Sequence, residues 1–155
     1  MDYRSRMEVE AELFKLCNDF IYFLDARMYE EMIALFTPDG VWGRISQEHH
    51  GQEEIRAAMK ARPTDVVTRH VSTNFHFVHI DDTTVKGVVS AMTYHGPPRP
   101  NGYLPGTLDI QRNFLLFDNQ DVYRKTATGA WRFSERIAHP TLLPTESPLW
   151  KTVPG

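Results

Sequence analysis

The sequence predicts an α+β fold in which helices come first along the chain and an antiparallel sheet follows. Up to Pro63, apolar residues recur every three or four positions, the spacing of helices that bury one face. After Pro63, β-branched and aromatic residues take over, as is typical of strands. Short polar gaps at 81–83 and 126–130 join neighbouring strands and favour antiparallel hairpins. This order predicts helices packed on one side of a sheet.

The composition is that of one ordinary globular domain. The chain has 155 residues, of which 41% are apolar and 24% charged, with a net charge of −3. That charge argues against a nucleic-acid partner, which would need a basic excess. Cys17 is the one cysteine of the sequence, so no disulfide can form within the chain. Because no signal peptide or long apolar run is present, we expect a cytoplasmic protein with no membrane partner.

The first half of the chain contains three predicted helices and one short strand. The first helix spans Glu8–Asp25, where apolar residues form a single stripe. The second spans Tyr29–Phe36 and is stopped by a Thr-Pro-Asp-Gly turn at 37–40. A short strand follows at Val41–Ile45, and the third helix spans Gly51–Lys60.

The second half contains four predicted strands. They span Val66–Ile80, Thr84–His95, Leu108–Lys125 and Trp131–His139. The connection from Gly96 to Gly106 holds four prolines, and we interpret it as a loop or lid. We predict one domain at 1–139 and a proline-rich tail at 140–155, which either covers the cavity or a partner subunit, or frays.

Asp25 is the first candidate for chemistry, because it ends an otherwise apolar helical turn at 20–24. A carboxylate at a helix C-terminus also opposes the helix dipole. Two roles suit it: an N-cap for the second helix, or an active-site acid with a perturbed pKa.

His70 and His95 are the two histidines placed for chemistry. Every second residue from 70 to 76 is polar, so one face of this predicted strand is polar and the other apolar. A polar face is normally the wet one, so His70 reaches a pocket only where the sheet curls or a bulge switches the alternation. His95 ends the next strand, directly before the proline-rich loop. His49 and His50 lie in a polar stretch and are expected to be solvated.

Asn119 is the third candidate, on a strand face that it shares with Asp121 and two aromatic residues. Its amide can orient a carbonyl or a hydroxyl group. Asp121 is expected to form an ion pair with Arg132 or Arg136 of the adjoining strand.

Common cofactor and metal motifs are missing from the sequence. It has no nucleophile elbow, glycine-rich phosphate loop or Cys-x-x-Cys pair. His70, His95 and Asp25 have the ligand types of a facial iron site, but no two of them show the close spacing of metal ligands. We therefore expect no metal and no cofactor, with the facial iron site as the less favoured alternative.

Several short motifs, in this order, resemble one known family. They are Leu24-Asp25, Leu-Phe-Thr-Pro-Asp-Gly at 35–40, Arg69-His70, Asp121-x-Tyr123 and Gly-Ala-Trp-Arg-Phe at 129–133. Across about residues 8–137, the chain resembles the SnoaL-like branch of the nuclear transport factor 2-like superfamily. The resemblance implies a cone-shaped α+β barrel, in which three helices wrap a strongly curved antiparallel sheet around a deep, mostly apolar pocket.

Within that branch the chain is most similar to scytalone dehydratase-type enzymes, although Leu24 stands where their pattern has a tyrosine. The resemblance implies a cofactor-independent dehydratase acting on a small hydrophobic aromatic, polyketide-like or steroid-like molecule. His70 is then the general base, Asp25 holds its ring in the right tautomer, His95 protonates the leaving oxygen, and Asn119 binds the carbonyl.

Other functions stay open, because the same fold serves several of them. An isomerase, cyclase or carbon–carbon lyase would use the same Asp-His pair without losing water. A ligand-binding or accessory domain would use the pocket without catalysis.

The pocket walls and an oligomer are also predicted. Candidate wall residues are Phe20, Phe23, Trp42, Met59, Met92 and Phe117, with core packing as the alternative for each. Tyr94 is a further candidate substrate-binding residue that assists the reaction. The sheet face opposite the helices is expected to carry the apolar residues Phe75, Phe77, Val89, Phe114 and Leu116. Because such a face needs a cover, we expect a homodimer or a higher homo-oligomer.

Overall fold

The computed structural model describes residues 2–98 and 114–143 as three helices and six strands. The helices are α1 (Tyr3–Asp25), α2 (Tyr29–Ile33) and α3 (Gly51–Lys60). The strands are β1 (Phe36–Arg44), β2 (Gln47–His50), β3 (Val67–His79), β4 (Thr84–Gly96), β5 (Phe114–Lys125) and β6 (Trp131–Leu142). They form one sheet in the order β2-β1-β6-β5-β4-β3. Neighbouring strands are antiparallel except β1 and β6, which run parallel.

The predicted α+β fold is confirmed, with the helices packed on the inner face of a strongly curved, unclosed sheet. Its two edges are β2 and β3. The core lies between α1 and the sheet, where Leu13 and Cys17 are fully buried. Phe20 packs edge-on against Phe133, and Cys17 contacts the hydroxyl of Tyr123. Burial of this apolar stripe holds the long helix on the sheet.

The boundary between α2 and β1 differs from the prediction. Phe36 is predicted to end the second helix, but α2 ends at Ile33 and Phe36 begins β1, where it pairs with Phe133. Strand pairing therefore outweighs the helical spacing of Phe36. The predicted turn at 37–40 is also wrong, because β1 continues through it with a shift in register between Phe36 and Val41.

Two further details of the first half differ from the predictions. The helix α1 begins at Tyr3 rather than Glu8, since the carboxylate of Asp2 accepts a hydrogen bond from the Ser5 N–H (3.0 Å) and caps the helix. The polar stretch before α3 is the strand β2, and its His49 is 7% exposed rather than solvated. Burial lowers the pKa of His49, and the charge of Arg44 lowers it further.

A β-bulge divides β3 into two halves with opposite alternation. Thr73 pairs with Ser90 and His76 with Val88, so Asn74 and Phe75 together face one residue of β4. Asn74 has a left-handed φ of 52°, a conformation that asparagine tolerates better than most residues. Before the bulge the even-numbered residues are the more buried ones, and after it the odd-numbered residues are. The sheet therefore curls and also switches its alternation, the two routes that bring His70 to a pocket.

Three of the apolar residues predicted on the outer face, Phe75, Phe77 and Val89, instead pack into the core. The bulge turns Phe75 and Phe77 inward, whereas Val89 follows the regular alternation of β4, in which the odd-numbered residues are buried. Phe114 and Leu116 do lie on the outer face, where both are half-buried. The homo-oligomer stays a prediction.

Several predictions fall partly outside the described residues. These include most of the loop or lid at 96–106, the strand residues 108–113 and the tail beyond 143. Residues 140–142 belong to β6, and the division at 139 stays a prediction. Within the described ranges, no helix combines the length and apolar character needed to cross a bilayer.

Candidate active site

A cavity of about 110 Å³ lies between the helices and the inner face of the sheet. A single buried water needs roughly 10–15 Å³, so this space admits a small organic molecule. Its deep wall is formed by buried side chains of the sheet. Its rim is formed by the exposed or half-buried residues Arg44, Ile45, Arg62, Pro63 and Val66.

His70 lines this cavity and is held by Asp25. The Nδ1 atom of His70 lies 2.6 Å from Oδ1 of Asp25, although 45 residues separate them in sequence. The backbone N–H of His70 donates to Oδ2 of the same carboxylate (2.8 Å). Both side chains are 12% exposed, so the pair is largely shielded from bulk water. A carboxylate beside Nδ1 favours the tautomer with its proton on Nδ1, which leaves the lone pair of Nε2 available as a base.

Asp25 reaches β3 because α1 ends in a sharp, well-anchored reversal. Arg27 adopts a left-handed φ of 60° and turns the chain after the helix. Its guanidinium donates to the carbonyls of Pro63 (2.9 Å) and Val66 (2.6 Å), just before β3 begins. The N-cap of α2 is Met28, so the alternative role of Asp25 as a helix cap is wrong.

The surroundings of Asp25 keep it ionised. Burial raises the pKa of this carboxyl, but the hydrogen bond and charge of the His70 ring lower it more, helped by the His70 N–H and the Thr68 hydroxyl. The Thr68 hydroxyl donates to Oδ1 at 2.8 Å. The net effect is a lowered pKa, so Asp25 is an anion at neutral pH and can stabilise a positively charged His70 ring.

His95 and Asn119 line the same cavity on β4 and β5, and both are under 5% exposed. In the ladder, His70 pairs with Thr93. His95 is therefore a diagonal neighbour of His70, about 7–8 Å away. Asn119 pairs with Val89, four positions along β4 from Thr93, and the curvature of the sheet brings it to the cavity. The histidines thus lie close together, and the amide lies further along the pocket.

Four of the predicted wall residues line the cavity: Phe20, Trp42, Met59 and Phe117. All four are buried, and the ring of Phe20 also packs edge-on against Trp42. These side chains therefore serve both as core and as pocket wall.

Three predicted wall residues do not line the cavity. Ala91, Thr93 and His95 point into it, so Met92 and Tyr94, between them on β4, lie on the opposite face of the sheet. Tyr94 instead packs on the ring of Phe114, 5.3 Å away. On α1, Phe20, Ile21 and Leu24 face the cavity. Viewed down the helix axis, Ile21 and Leu24 lie on one side of Phe20, and Phe23 lies roughly 60° away on the other side.

Sequence reasoning missed several polar residues that line the cavity, namely Arg44, Arg62, Thr68, Thr93 and Arg136. Arg44 is two residues from Trp42 on the same strand, so the period of two could have found it. Thr93 is directly opposite His70, and its buried hydroxyl has no partner among the described residues. The position of Thr93 opposite His70 depends on the pairing of β3 with β4, which the sequence alone does not give.

Behind the cavity wall, Asp121 and Arg136 form a fully buried ion pair, one of the two pairings predicted. Arg136 Nη1 donates to Asp121 Oδ2 (2.8 Å), and the Tyr123 hydroxyl donates to the same oxygen (2.7 Å). The guanidinium stacks on the ring of Phe20 at 4.6 Å. Burial raises the pKa of the nearby Cys17 thiol to about 11, so this cysteine stays protonated and is no nucleophile.

The described residues do not bring metal ligands together. In 2–98 and 114–143, no three His, Cys, Asp or Glu side chains form a group that could hold a metal ion. Asp25 is a hydrogen-bond partner of His70, which is a different arrangement from the facial iron site weighed above.

Solved structures with the same fold include proteins of several activities. A candidate scytalone dehydratase from Novosphingobium aromaticivorans is 18% identical, with 91% of this chain and 89% of that chain covered and a TM-score of 0.76. A type 2 hexachlorocyclohexane dehydrochlorinase is 16% identical, with 91% and 90% covered and a TM-score of 0.74. A ketosteroid isomerase-like protein from Erwinia carotovora atroseptica is 14% identical, with 85% and 95% covered and a TM-score of 0.68. At these identities the likeness establishes the fold.

Family membership rests on the sequence. No curated protein matches the chain significantly. The model of the SnoaL-like domain matches residues 5–137, nearly the whole chain. The chain therefore belongs to the SnoaL-like domain family.

Proposed function

We propose that this protein is a cofactor-independent lyase that removes water from a small hydrophobic aromatic, polyketide-like or steroid-like ketone. The observation that carries the proposal is the 2.6 Å contact between Asp25 and the Nδ1 of His70, a histidine that lines the cavity. A pocket that only binds apolar ligands has no need of a buried carboxylate–imidazole pair.

In the proposed reaction, Nε2 of His70 takes a proton from the carbon next to the substrate carbonyl. The C–H electron pair moves onto the carbonyl and forms an enolate. That pair then returns to form the C=C bond as the β-hydroxyl leaves, taking a proton from His95 to become water. Asp25 stabilises the imidazolium formed at His70. The two histidines, diagonal neighbours in the ladder, can thus serve adjacent carbons of one substrate.

Two polar groups are proposed to hold substrate oxygens. Asn119 is proposed to hold the carbonyl oxygen as charge develops. Thr93, opposite His70 and without a partner for its buried hydroxyl among the described residues, is a nearer donor, and we add it to this role.

The fold comparisons support this class of reaction. Dehydratases and dehydrochlorinases both remove a proton and a leaving group from neighbouring carbons, and ketosteroid isomerases move a proton beside a carbonyl. The ketosteroid isomerase-like neighbour favours an isomerase as the second candidate, with the same Asp25–His70 pair returning the proton to another carbon.

The test uses 3-hydroxy-1-tetralone, which loses water to give fluorescent 1-naphthol. We expect 1-naphthol release by the wild type, at least about a hundredfold slower release by His70→Ala, and full activity after exhaustive chelation and dialysis. Deuterium exchange at C2 in heavy water without release of 1-naphthol would favour the isomerase. Neither exchange nor release, with the tetralone bound, would leave a binding domain and overturn the proposal.

A further inference from the structure

The charges on the cavity wall are all of one sign. Among the described residues that line it are the guanidinium groups of Arg44, Arg62 and Arg136, and no aspartate or glutamate. The chain as a whole carries a net charge of −3, so the positive charge of this wall is opposite in sign to the net charge of the protein.

The three arginines are not equivalent. Arg136 lies at the deep wall, and Asp121 neutralises it from behind. Arg44 and Arg62 lie at the rim, and neither has an ion-pair partner within 2–98 and 114–143. The rim therefore carries two guanidinium groups that make no direct ion pair with a described carboxylate, at the entrance of the pocket.

Arg62 is built into the site rather than extended into solvent. Its Nη1 donates to the carbonyl of Leu24 (2.8 Å), and its Nη2 donates to the Thr68 hydroxyl (2.6 Å). Thr68 in turn donates to Asp25, so the guanidinium is fixed in the same network as the catalytic pair. Holding a cation in one place in this way prepares it to receive an anion.

Arg44 has no hydrogen bond or ion pair to any described residue and stands over the ring of Trp42, 5.4 Å from its centre. Its side chain is exposed at the rim, yet packing around it lowers its pKa, and the positive charge of Arg62 lowers it further. Two like charges that repel each other in this way are stabilised by an anion placed between them.

We propose that the ketone substrate also carries a carboxylate on its aromatic rings, and that Arg44 and Arg62 hold this carboxylate at the rim while the rings enter the cavity. The planar fork of a guanidinium matches a carboxylate and pairs with it through two hydrogen bonds. Phe20, Trp42 and Phe117 supply the apolar walls for the rings. This inference rests on the proposed lyase function in taking the cavity as the substrate site.

Binding of two ligands of the same shape tests the inference without turnover. Isothermal titration compares 1-naphthoate with the neutral 1-naphthamide, in wild type, Arg44→Met and Arg124→Met. We expect the wild type to bind naphthoate at least about tenfold more tightly than naphthamide. Arg44→Met should lose most of this preference. Arg124, an exposed strand arginine that lies 3.7 Å from Asp39, is the matched control for net charge and should keep it.

The outcomes separate this inference from the proposed reaction. Equal binding of the two ligands by the wild type, no naphthoate binding at millimolar concentration, or an unchanged preference in Arg44→Met would overturn the carboxylate site. Because Arg44 makes no hydrogen bond to the described residues, we expect Arg44→Met to fold. If it does not fold, the comparison of naphthoate with naphthamide binding by the wild type still tests the inference. His70→Ala should keep the preference for naphthoate while losing tetralone turnover. The binding preference can therefore be interpreted even if the proposed reaction is not observed.

Discussion

Replacing Asp25 by asparagine is the sharpest test of the site, because the carboxylate accepts three hydrogen bonds that an amide cannot all reproduce. Its Oδ2 accepts from the backbone N–H of His70, and its Oδ1 faces both the His70 ring and the Thr68 hydroxyl. The backbone N–H is a fixed donor, so the amide oxygen of the introduced asparagine would take the Oδ2 place. The amide NH₂ would then face Nδ1 of His70.

That arrangement forces the wrong tautomer. An NH₂ group beside Nδ1 requires Nδ1 to accept, which moves the ring proton to Nε2 and removes the lone pair that faces the cavity. The Thr68 hydroxyl accepts from Arg62 and has a second lone pair that can accept the other N–H of the amide, so the contact with Thr68 is compatible with this arrangement. A general base typically contributes about 10²–10⁴ in rate. Asp25→Asn should therefore lower turnover at least about a hundredfold, or about 2.7 kcal/mol in activation free energy.

The assay is release of 1-naphthol from 3-hydroxy-1-tetralone, with the ¹⁵N shifts of the His70 ring reporting its tautomer. Asp39→Asn makes the same chemical change at an exposed site, where the side chain is 75% exposed, and should leave turnover unchanged. The double variant Asp25→Asn with His70→Ala should be scarcely slower than His70→Ala alone, because the two residues act as a unit. Turnover above a tenth of wild type in Asp25→Asn, or an unchanged His70 tautomer, would refute the reasoning.

Three further predictions concern stability. Asp121→Ala leaves Arg136 buried without its partner and should lower the free energy of unfolding by about 3–5 kcal/mol in urea titrations; a loss below about 1 kcal/mol would contradict this. Asn74→Val should cost about 1–2 kcal/mol at the left-handed bulge and Asn74→Gly nearly nothing, and equal melting temperatures would show that the bulge is not strained. Folding lowers the pKa of Asp25, so its ionised form stabilises the fold fully at pH values above the unfolded pKa of about 3.9. This stabilisation is lost as the pH falls through the lower pKa of the folded state. In melting scans from pH 7 to 2, the drop in melting temperature at low pH should therefore be smaller in Asp25→Asn.

The long, strongly patterned elements were predictable from the sequence. The apolar stripe of α1, the third helix and the four later strands follow from their periodicity, and the shared face of Asn119 and Asp121 follows from the period of two. The pairing of Asp25 with His70 came from the resemblance to a family, since no local pattern joins residues so far apart in the chain.

The remaining features depend on tertiary pairing that periodicity does not encode. Phe36 fits a helical stripe, but its backbone joins a parallel ladder with β6. Met92 and Tyr94 are the right residue types for a pocket, but they lie on the wrong face of β4. The rim arginines look like ordinary surface charges until Arg62 is seen to share the network of Asp25.

The bulge at Asn74 explains how one strand can serve both the candidate active site and the core. A regular strand that turned His70 inward would also turn His76 inward, against the helix, and would turn Phe75 and Phe77 outward to water. The extra residue reverses the alternation at the boundary between cavity and core, so that Phe77 packs on Tyr123 instead. The polar half of the strand can then face a pocket while the apolar half anchors α1, whose last residue supplies the carboxylate for His70. The bulge therefore lies at the point in β3 where the cavity-lining half of the strand joins the half that packs in the core.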